Sequence, residues 1–459
     1  MIDKILAKID ADMPASLERL FALLRIPSIS TDPAYRDQCR QAGQWLVDDL
    51  AGLGFEASLR ETPGHPIVLA HAGAPSGRPH VLFYGHYDVQ PVDPLDLWET
   101  PPFEPRLVTM PDGSRRIFGR GAADDKGQLM TFVEACRAWK SVTGELPVGV
   151  TILFEGEEES GSANLAPFMK ANAKELGADV ALVCDTGMWD AVTPAITVML
   201  RGLVGEEVTI HAASRDLHSG MFGGPARNPI HVLADLLAGL HDGDGRVTLP
   251  GFYDGVGETS DEVKRQWQGL GFDAAEFLGS VGLSIPAGER GRSVLEQIWA
   301  RPTCEVNGII GGYTGAGFKT VIAAKASAKV SFRLVGDQDP AKIGAAFRDY
   351  ARSRVPADCR IEFNSHGGSP AIRLPLEGRE LTRARQALSE EWGNDTAIVG
   401  GGGSIPVVGD FKNILGLGTL MVGFGLDDDR IHSPNEKYEL TSFHKGARSW
   451  ARILAALAG

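Results

Sequence analysis

The sequence predicts an α/β protein whose sheet is largely buried between helices. Through the first two hundred residues, short apolar runs alternate with helical patterns such as QLMTFVEACRAWK. Three of these runs are VLFYGH near residue 81, VTILFE near 150 and DVALVCD near 179. This alternation is typical of strands covered on both faces by helices. The first 24 residues, MIDKILAKIDADMPASLERLFALL, predict an amphipathic helix that precedes the sheet.

The alternation of short strands and helices stops at Arg201. There a strand (VGEEVTIHAAS) and a helix (NPIHVLADLLAGL) precede a long polar stretch and a further strand (AKASAKVSFRLV). Residues 251–302 show weak periodicity, and no element is predicted there. After Arg373 the helix and strand patterns of the first part resume, with the helix LEGRELTRARQALSEEW and the strand GTLMVGFG. We therefore predict one domain, made of residues 1–200 and 373–459, that is interrupted by an insertion over 201–372.

Composition excludes several classes of partner. Hydrophobic residues make up 43% and charged residues 23% of the 459, as in an ordinary globular protein. The formal charge of −14 argues against nucleic acid or anionic membranes, because phosphates need a basic face. Clustered carboxylates can still hold metal cations, so a metal-binding protein stays open.

The five cysteines are scattered, odd in number and form no CxxC pair. They predict buried thiols in a reducing compartment, which favours a cytoplasmic location. The N-terminal helix has neither a signal-peptide core nor a cleavage site. No apolar run approaches the roughly 20 residues that span a bilayer, so no membrane partner is expected.

His86-Tyr87-Asp88 follows the apolar run VLFYG. Residues two apart on a strand share a face, so Asp88 can accept the second imidazole N–H of His86 and raise its basicity as a metal ligand. The alternative is a histidine that is hydrogen-bonded within a core, and the segment alone does not decide between them.

Gly119 to Gly127, GRGAADDKG, comes directly before a helical pattern. It is not a dinucleotide fingerprint, because Asp124 occupies the third glycine position and would repel a pyrophosphate. A carboxylate on a loop shaped by glycines suits a metal ion. The alternative is an acidic N-cap of the following helix.

Glu155-Gly-Glu157-Glu158-Glu159-Ser-Gly-Ser also follows a buried strand. Three adjacent carboxylates repel one another unless a cation is close, and a divalent ion removes that cost. A solvated acidic first turn of a helix is the alternative.

Two single residues extend the set: Asp185 ends the strand VALVCD, and His432 lies in the loop IHSPNEK after LMVGFG. His86, Glu158, Glu159, Asp185 and His432 all come just after an apolar strand, at the edge where open α/β sheets form their sites. Two imidazoles and three carboxylates suit two zinc ions, with one bridging carboxylate and a position open for water.

Two glycine-rich segments are interpreted as loops that approach a substrate closely. GGYTGAGFKT lacks Walker spacing, because Phe318 separates the lysine from its glycine. GGGGSIP, at 400–406, has no helix predicted after it.

The sequence resembles the dinuclear-zinc dipeptidases of the carnosinase and cytosolic nonspecific dipeptidase type, which are related to acetylornithine deacetylase, succinyl-diaminopimelate desuccinylase and carboxypeptidase G. The resemblance spans nearly the whole chain. The motifs that carry it are HYDVQP, WETPPFEP, GRGAADDKG, FEGEEESGS, DLHSGMFGG, GGYTGAGFKT, FRLV, GGSIP and HSPNEK.

The resemblance implies a catalytic domain with a mixed central sheet flanked by helices, and an inserted α+β lid and dimerisation domain. The metal ligands that it implies are His86, Asp124, Glu159, Asp185 and His432, with Asp124 bridging. Asp88 would orient His86, and Glu158 would be the general base that acts on a metal-bridging water. His218, in the DLHSG motif, would reach the active site of the partner subunit in a homodimer, and Arg333, Ser404 and Thr320 would contact substrate.

Two departures from the family pattern concern the substrate's ends: Ala323 stands where a proline is frequent, and Gly400 and Gly401 stand where an Arg-Glu pair is frequent. Three functions are compatible with these motifs. Hydrolysis of dipeptides by two divalent ions is preferred, with zinc as the expected metal and manganese or cobalt as alternatives. Deacylation of N-acyl amino acids is the second, and a non-catalytic peptide-binding relative is the third.

Overall fold

The computed structural model describes residues 1–73, 75–403 and 405–459. The chain divides into two compact units. The first contains residues 1–198, 374–399 and 407–459, and the second contains 199–373 and 400–406. Ser404, which the sequence assigns to the substrate, lies outside the described residues.

The first two hundred residues alternate between helices and strands. Short 3₁₀ turns cover Pro33–Tyr35, Leu95–Leu97 and Glu158–Ser160. The longer elements are α1 Ile2–Leu24, α2 Arg36–Gly52, β1 Glu56–Arg60, β2 Ile67–Ala72, β3 His80–His86, β4 Arg106–Thr109, β5 Arg115–Phe118, α3 Lys126–Thr143, β6 Gly149–Glu155, α4 Leu165–Ala171, β7 Val180–Val183 and β8 Ala195–Leu200.

Residues after 201 form a second set of elements. They are β9 Gly202–His211, β10 Leu217–His218, α5 Ser219–Phe222, α6 Pro229–Ala238, α7 Asp261–Gln268, α8 Ala274–Gly279, α9 Val294–Trp299, β11 Thr303–Gly311, β12 Val321–Ile322, β13 Lys325–Leu334, α10 Pro340–Arg354, β14 Arg360–Ser369 and β15 Ile372–Arg373.

The last part of the chain returns to longer helices. Its elements are α11 Arg379–Trp392, β16 Ala397–Gly401, α12 Pro406–Asp410 with a π-helical turn Phe411–Leu415, β17 Gly418–Met421, β18 Lys437–Glu439 and α13 Leu440–Ala458. The expectation that no helix follows GGGGSIP was wrong, because α12 begins at Pro406, and proline is favoured in the first turn of a helix.

The central sheet is mixed, with the strand order β1-β2-β6-β3-β7-β17-β8, and β16 also pairs with β8. Strands β6, β3, β7 and β17 run parallel to one another, whereas β1, β2 and β8 are antiparallel to their neighbours. The carboxyl ends of the four parallel strands therefore meet at one edge of the sheet, with His86 opposite Glu155. The predicted α/β class with a mixed sheet is confirmed.

Strands β3 and β6 are buried along almost their whole length, because helices cover both faces of the sheet. Phe83 of β3 stacks on Phe132 of α3, with ring centroids 3.7 Å apart and planes at 8°. Trp450 of α13 meets Phe83 edge-on at 5.4 Å. This aromatic cluster fixes α3 against the strand that ends at His86.

The sheet of the second unit is antiparallel, with the order β11-β13-β9-β14. Burial alternates residue by residue along β9 and β13, so one face is packed and the other is open. The packed face carries α6 and α10, and its core includes Val208, Phe332 and Phe347. Helices α7, α8 and α9 lie in the stretch where no element was predicted; each has eight residues or fewer, too few for periodicity to show.

A small sheet in the order β18-β5-β4 lies beside the main one in the first unit. The pairing of β18 with β5 is antiparallel and places Lys437 opposite Phe118. The segments that precede β18 and follow β5 are therefore brought together. No helix among the described residues is long and apolar enough to cross a membrane.

We expect Phe132→Ala to lower the free energy of unfolding by about 3–5 kcal/mol, because the fully buried ring leaves a cavity beside Phe83. The control is Val192→Ala, whose side chain is 58% exposed and whose loss should change stability by about 0.5 kcal/mol or less. Urea unfolding followed by circular dichroism measures both. Equal midpoints for the two variants would contradict the role of the aromatic cluster.

Candidate metal centre

One group of possible metal ligands lies at the carboxyl edge of the parallel strands. His86, the last residue of β3, is fully buried, and its Nε2 lies 3.0 Å from Oδ1 of Asp124 and 4.0 Å from Oδ2 of Asp185. Ligand atoms of these three side chains lie within 4.8 Å of one another. Nitrogen and oxygen donors at that spacing can surround one divalent ion.

A second group shares one member with the first. Nε2 of His432 lies 3.0 Å from Oδ2 of Asp124 and 3.3 Å from Oε2 of Glu159. Asp124 therefore directs Oδ1 toward the first group and Oδ2 toward the second. A carboxylate placed in this way can bridge two ions.

The side chains are better suited to binding two cations than to satisfying one another's hydrogen bonds. Oε1 of Glu159 is buried and has no hydrogen-bond partner among the described residues. A buried carboxylate oxygen without a partner is costly, and a cation is the partner that a carboxylate prefers in such a place. The mixed imidazole and carboxylate set is the donor chemistry of zinc, manganese and cobalt sites.

The raised pKa values of two carboxylates at this centre also favour a bound cation. Burial, together with the charge of Asp124, raises the pKa of Asp185 to about 7. Burial likewise raises the pKa of Glu158, and the charge of Glu159 adds to that rise. Carboxylates in this position are ionised at neutral pH at a cost, which a nearby cation would remove.

Asp124 and the two histidines stabilise each other's charged forms. Burial alone would raise the pKa of Asp124, but hydrogen bonds with His432 and His86 lower it well below its usual range. Hydrogen bonds with Asp124 and Glu159 raise the pKa of His432 to about 10. Burial alone would lower the pKa of His86, but interactions with Asp124 and Asp88 raise it well above its ordinary value. Asp124 is thus the charged centre of the cluster.

Asp88 lies beside His86, although its main contacts are with a different segment. Its Oδ1 accepts a hydrogen bond from the amide of Glu158 at 3.2 Å and its Oδ2 one from the amide of Glu159 at 3.0 Å. Nδ1 of His86 is 3.1 Å from the main-chain oxygen of Asp88 and 3.5 Å from its carboxylate. Through these contacts Asp88 positions both the acidic segment and the imidazole of His86.

Glu158 lies in the 3₁₀ turn after β6 and belongs to neither ligand group found among the described residues. Glu157, its neighbour, is directed away from the centre, because it accepts hydrogen bonds from the amide of His65 and from Asn164. The three adjacent carboxylates therefore have different surroundings: Glu159 lies in a ligand group, Glu158 lies beside it, and Glu157 anchors a loop.

Two residues at the centre were not singled out from the sequence. Nε2 of Gln90 donates a hydrogen bond of 2.6 Å to Oε2 of Glu159. Glu436 is fully buried and accepts hydrogen bonds from the segment that carries Asp124. Both lie within motifs quoted above, HYDVQP and HSPNEK, but nothing in their spacing indicated which atoms they would contact.

The loop that carries His432 has an unusual backbone. Arg430, His432 and Asn435 all have positive φ, at 56°, 60° and 63°. Residues other than glycine adopt this conformation rarely, and it is found where surrounding contacts enforce it. Asn435 supplies two such contacts: its Nδ2 donates to the carbonyl of Leu97 and its Oδ1 accepts from the amide of Glu99, both at 2.8 Å.

The remaining predicted residues lie in the second unit. His218 is exposed, pairs with Val321 across β10 and β12, and accepts a hydrogen bond from the amide of Gly220 at 3.0 Å. The carbonyl of Thr320 accepts from the amide of Ser219 at 3.1 Å, so Thr320 and His218 lie close together.

Arg333 lies on β13, between Leu203 of β9 and Thr303 of β11. It is close enough to Arg201 to influence it: burial, together with the charge of Arg333, lowers the pKa of Arg201 to about 10. Two neighbouring guanidinium groups would favour an anion.

Residues 82–456 match the protein family described as Peptidase family M20/M25/M40. The chain is 31% identical to the Cys-Gly metallodipeptidase dug1 of Schizosaccharomyces pombe over 473 residues, which cover 100% of this chain and 98% of that protein. It is similar in structure to human carnosine dipeptidase 1, with a TM-score of 0.82 and 26% identity over 100% of this chain and 98% of that one. An M20 family metallo-carboxypeptidase of Sulfolobus solfataricus, Sso-CP2, gives a TM-score of 0.83 and 30% identity over 96% and 99%.

Proposed function

Because this chain belongs to Peptidase family M20/M25/M40, we propose that it is a dinuclear metallopeptidase that hydrolyses the peptide bond of dipeptides. The observation that carries the proposal is the carboxylate of Asp124, which is shared between two groups of possible ligands. The full-length similarity to a Cys-Gly metallodipeptidase supports a dipeptide as the substrate.

In the proposed centre, one ion is held by His86, Asp124 and Asp185, and the other by Asp124, Glu159 and His432. We expect zinc, since two imidazoles and several carboxylates suit it, with manganese or cobalt as the alternatives. When bound, such a pair of ions lowers the pKa of a water molecule and polarises the scissile carbonyl.

Glu158 is proposed as the general base. Its main chain is fixed by the hydrogen bond to Asp88, and its carboxylate belongs to neither ligand group. A carboxylate held beside the ions, but not occupied by them, can take a proton from the attacking water and pass it to the leaving amine. Asp88 is proposed to hold both this segment and His86 in place.

The second unit, 201–372 as the sequence delimits it, is proposed to be a lid that recognises the substrate. Arg333, with Thr320 and Ser404, would bind the carboxylate of the dipeptide, because a guanidinium group pairs with a carboxylate through two hydrogen bonds. His218 would donate to the oxygen that becomes negative as water adds to the carbonyl.

We also propose a cytoplasmic homodimer that forms through the second unit. Strand β11 lies at the edge of its sheet, and Ile309 and Ile310 on it are 63% and 66% exposed. An exposed apolar edge strand of this kind favours pairing with another chain. A second copy would cover it and would bring His218 to the partner's centre.

We expect Glu158→Gln to keep its metal content and to lose at least about a hundredfold in kcat, because an amide cannot accept the water proton. Steady-state kinetics, with metal content from elemental analysis, measure both. Glu157→Gln is the matched control: it makes the same change one residue away, at a carboxylate bonded to Asn164, and should stay within a few-fold of wild type. Unchanged turnover of Glu158→Gln would remove it from the mechanism.

A substrate panel tests the reaction itself. Unblocked dipeptides, Cys-Gly and β-Ala-His among them, should be cleaved faster than N-acetyl amino acids. Dialysis against a chelator should abolish the activity, and zinc, manganese or cobalt added back one at a time should show which ion restores it. Faster release of acetate than of amino acids would instead identify a deacylase, and no hydrolysis of either class would leave a binding protein.

Mixing two inactive variants tests the role of His218. If this side chain acts in the partner's active site, subunit exchange between Glu158→Gln and His218→Ala should restore activity. Random pairing gives about half mixed dimers, each with one complete site, so about a quarter of wild-type activity is expected. Absence of recovery, with exchange confirmed by mass spectrometry of intact dimers, would place His218 outside the partner's site.

A further inference from the structure

Glu436 lies four residues after His432, and its carboxylate is fully buried. It accepts four hydrogen bonds, and three of the donors are main-chain amides of one loop. These are Gly121 at 2.9 Å, Ala123 at 2.9 Å and Asp124 at 3.1 Å, and the fourth donor is Nη1 of Arg120 at 2.8 Å. One side chain therefore holds the loop that carries Asp124.

The pairing of two strands determines this position. Lys437 lies opposite Phe118 in the antiparallel pair of β18 and β5, so Glu436 is opposite Gly119, whose amide donates to the carbonyl of Glu436 at 3.1 Å. Beyond that point both strands end, and the side chain of Glu436 continues the contact into the loop at 121–124. The main chain and the side chain of one residue thus join the two loops.

We propose that Glu436 is a positioning residue of the dinuclear centre: it fastens the loop that carries Asp124 to the loop that carries His432. Asp124 and His432 lie 3.0 Å apart and come from segments that are some three hundred residues apart in sequence. This inference rests on the proposed function and extends it, because Glu436 acts through the ligands and does not touch the ions itself.

A carboxylate is required at this position by the donors around it. Three amides and a guanidinium group converge on two oxygens, and a carboxylate has about four acceptor sites and no donor. A glutamine would direct its NH₂ group at one pair of these donors. The loop would then have to move, and with it the carboxylate of Asp124.

Arg120 completes the arrangement. It is 1% exposed, and its guanidinium group also donates to the carbonyl of Pro91 at 3.1 Å and lies 5.3 Å from the ring centre of Trp98. A buried carboxylate without a counter-charge would be strongly unfavourable, so Arg120 makes the burial of Glu436 possible. Through its hydrogen bond to Pro91, Arg120 also connects Glu436 to the segment that follows Gln90. Gln90 itself donates a hydrogen bond to Glu159.

We expect Glu436→Gln to bind the ions at least about tenfold more weakly than wild type. The metal-free variant should also melt several degrees lower, because Arg120 loses its buried counter-charge. Competition with a chromophoric chelator measures zinc affinity, and calorimetry of the metal-free proteins measures stability. At limiting zinc the variant should lose activity, and at saturating zinc most of its kcat should return. A residue that served only stability would shift melting and leave zinc affinity unchanged.

Glu439→Gln is the matched control. Glu439 ends the short strand β18, which begins directly after Glu436, and pairs with Arg116 at 2.8 Å and Lys437 at 3.2 Å. Among the described residues it makes no hydrogen bond to the loop that carries Asp124 or to the loop that carries His432. Its zinc affinity should equal that of wild type. If Glu436→Gln also binds zinc with wild-type affinity, the proposal is wrong.

Should Glu436→Gln yield no folded protein, Glu436→Asp takes its place in the same two measurements. It keeps the charge and falls short of the amides by one methylene group, so weaker zinc binding is again expected and unchanged binding overturns the proposal. Failure of the proposed function has a different signature: wild type itself would then bind no zinc or cleave no dipeptide, whatever Glu436 does.

Discussion

The contact between one carboxylate and two imidazoles organises the first unit. Asp124 lies between His86 and His432, with 3.0 Å to each ring. Around it, burial and mutual repulsion raise the pKa of Asp185 and Glu158, so the cluster is costly as an assembly of acids alone. Two cations bound there would remove that cost, and the neighbouring segments hold the acids in place.

The supporting contacts come from residues that flank the proposed ligands in sequence. Asp88 holds the amides of Glu158 and Glu159, Gln90 holds the carboxylate of Glu159, and Glu436 holds the loop of Asp124. Each segment that carries a proposed ligand is thus attached to another one. A centre built this way is positioned by hydrogen bonds between loops, whereas the strands only bring the loops to the same edge.

Much of the fold followed from the sequence, because its longest elements have strong periodicity. The buried strands at 80–86, 149–155 and 180–183 and the N-terminal helix lie where apolar runs predicted them. The short helices between 261 and 299 were not predicted, since eight residues make little more than two turns. The pattern does not predict the helix after GGGGSIP, because its glycines indicate a loop, although Pro406 is well suited to the first turn of a helix.

The candidate site could be predicted in part for a related reason. Strand ends single out His86, Asp185 and His432 from local pattern, the glycine-shaped loop singles out Asp124, and the resemblance joins them into one predicted set of ligands. Their partners depend on contacts between distant segments, which no local pattern contains: the link from Glu436 to Gly121 crosses 315 positions. Asp88 shows the same limit, because its proximity to His86 was predicted but its bonds to the amides of Glu158 and Glu159 were not.

Strand β17 pairs with both β7 and β8 in the middle of the sheet, although roughly two hundred residues separate it from β8 in the chain. A growing chain would therefore have a gap between β7 and β8 while the second unit is synthesised. The exposed edges beside that gap are apolar, and such edges attract other unfinished chains. This strand order accordingly favours a second unit that folds on its own while it is made, with the first unit closing only once β17 is available.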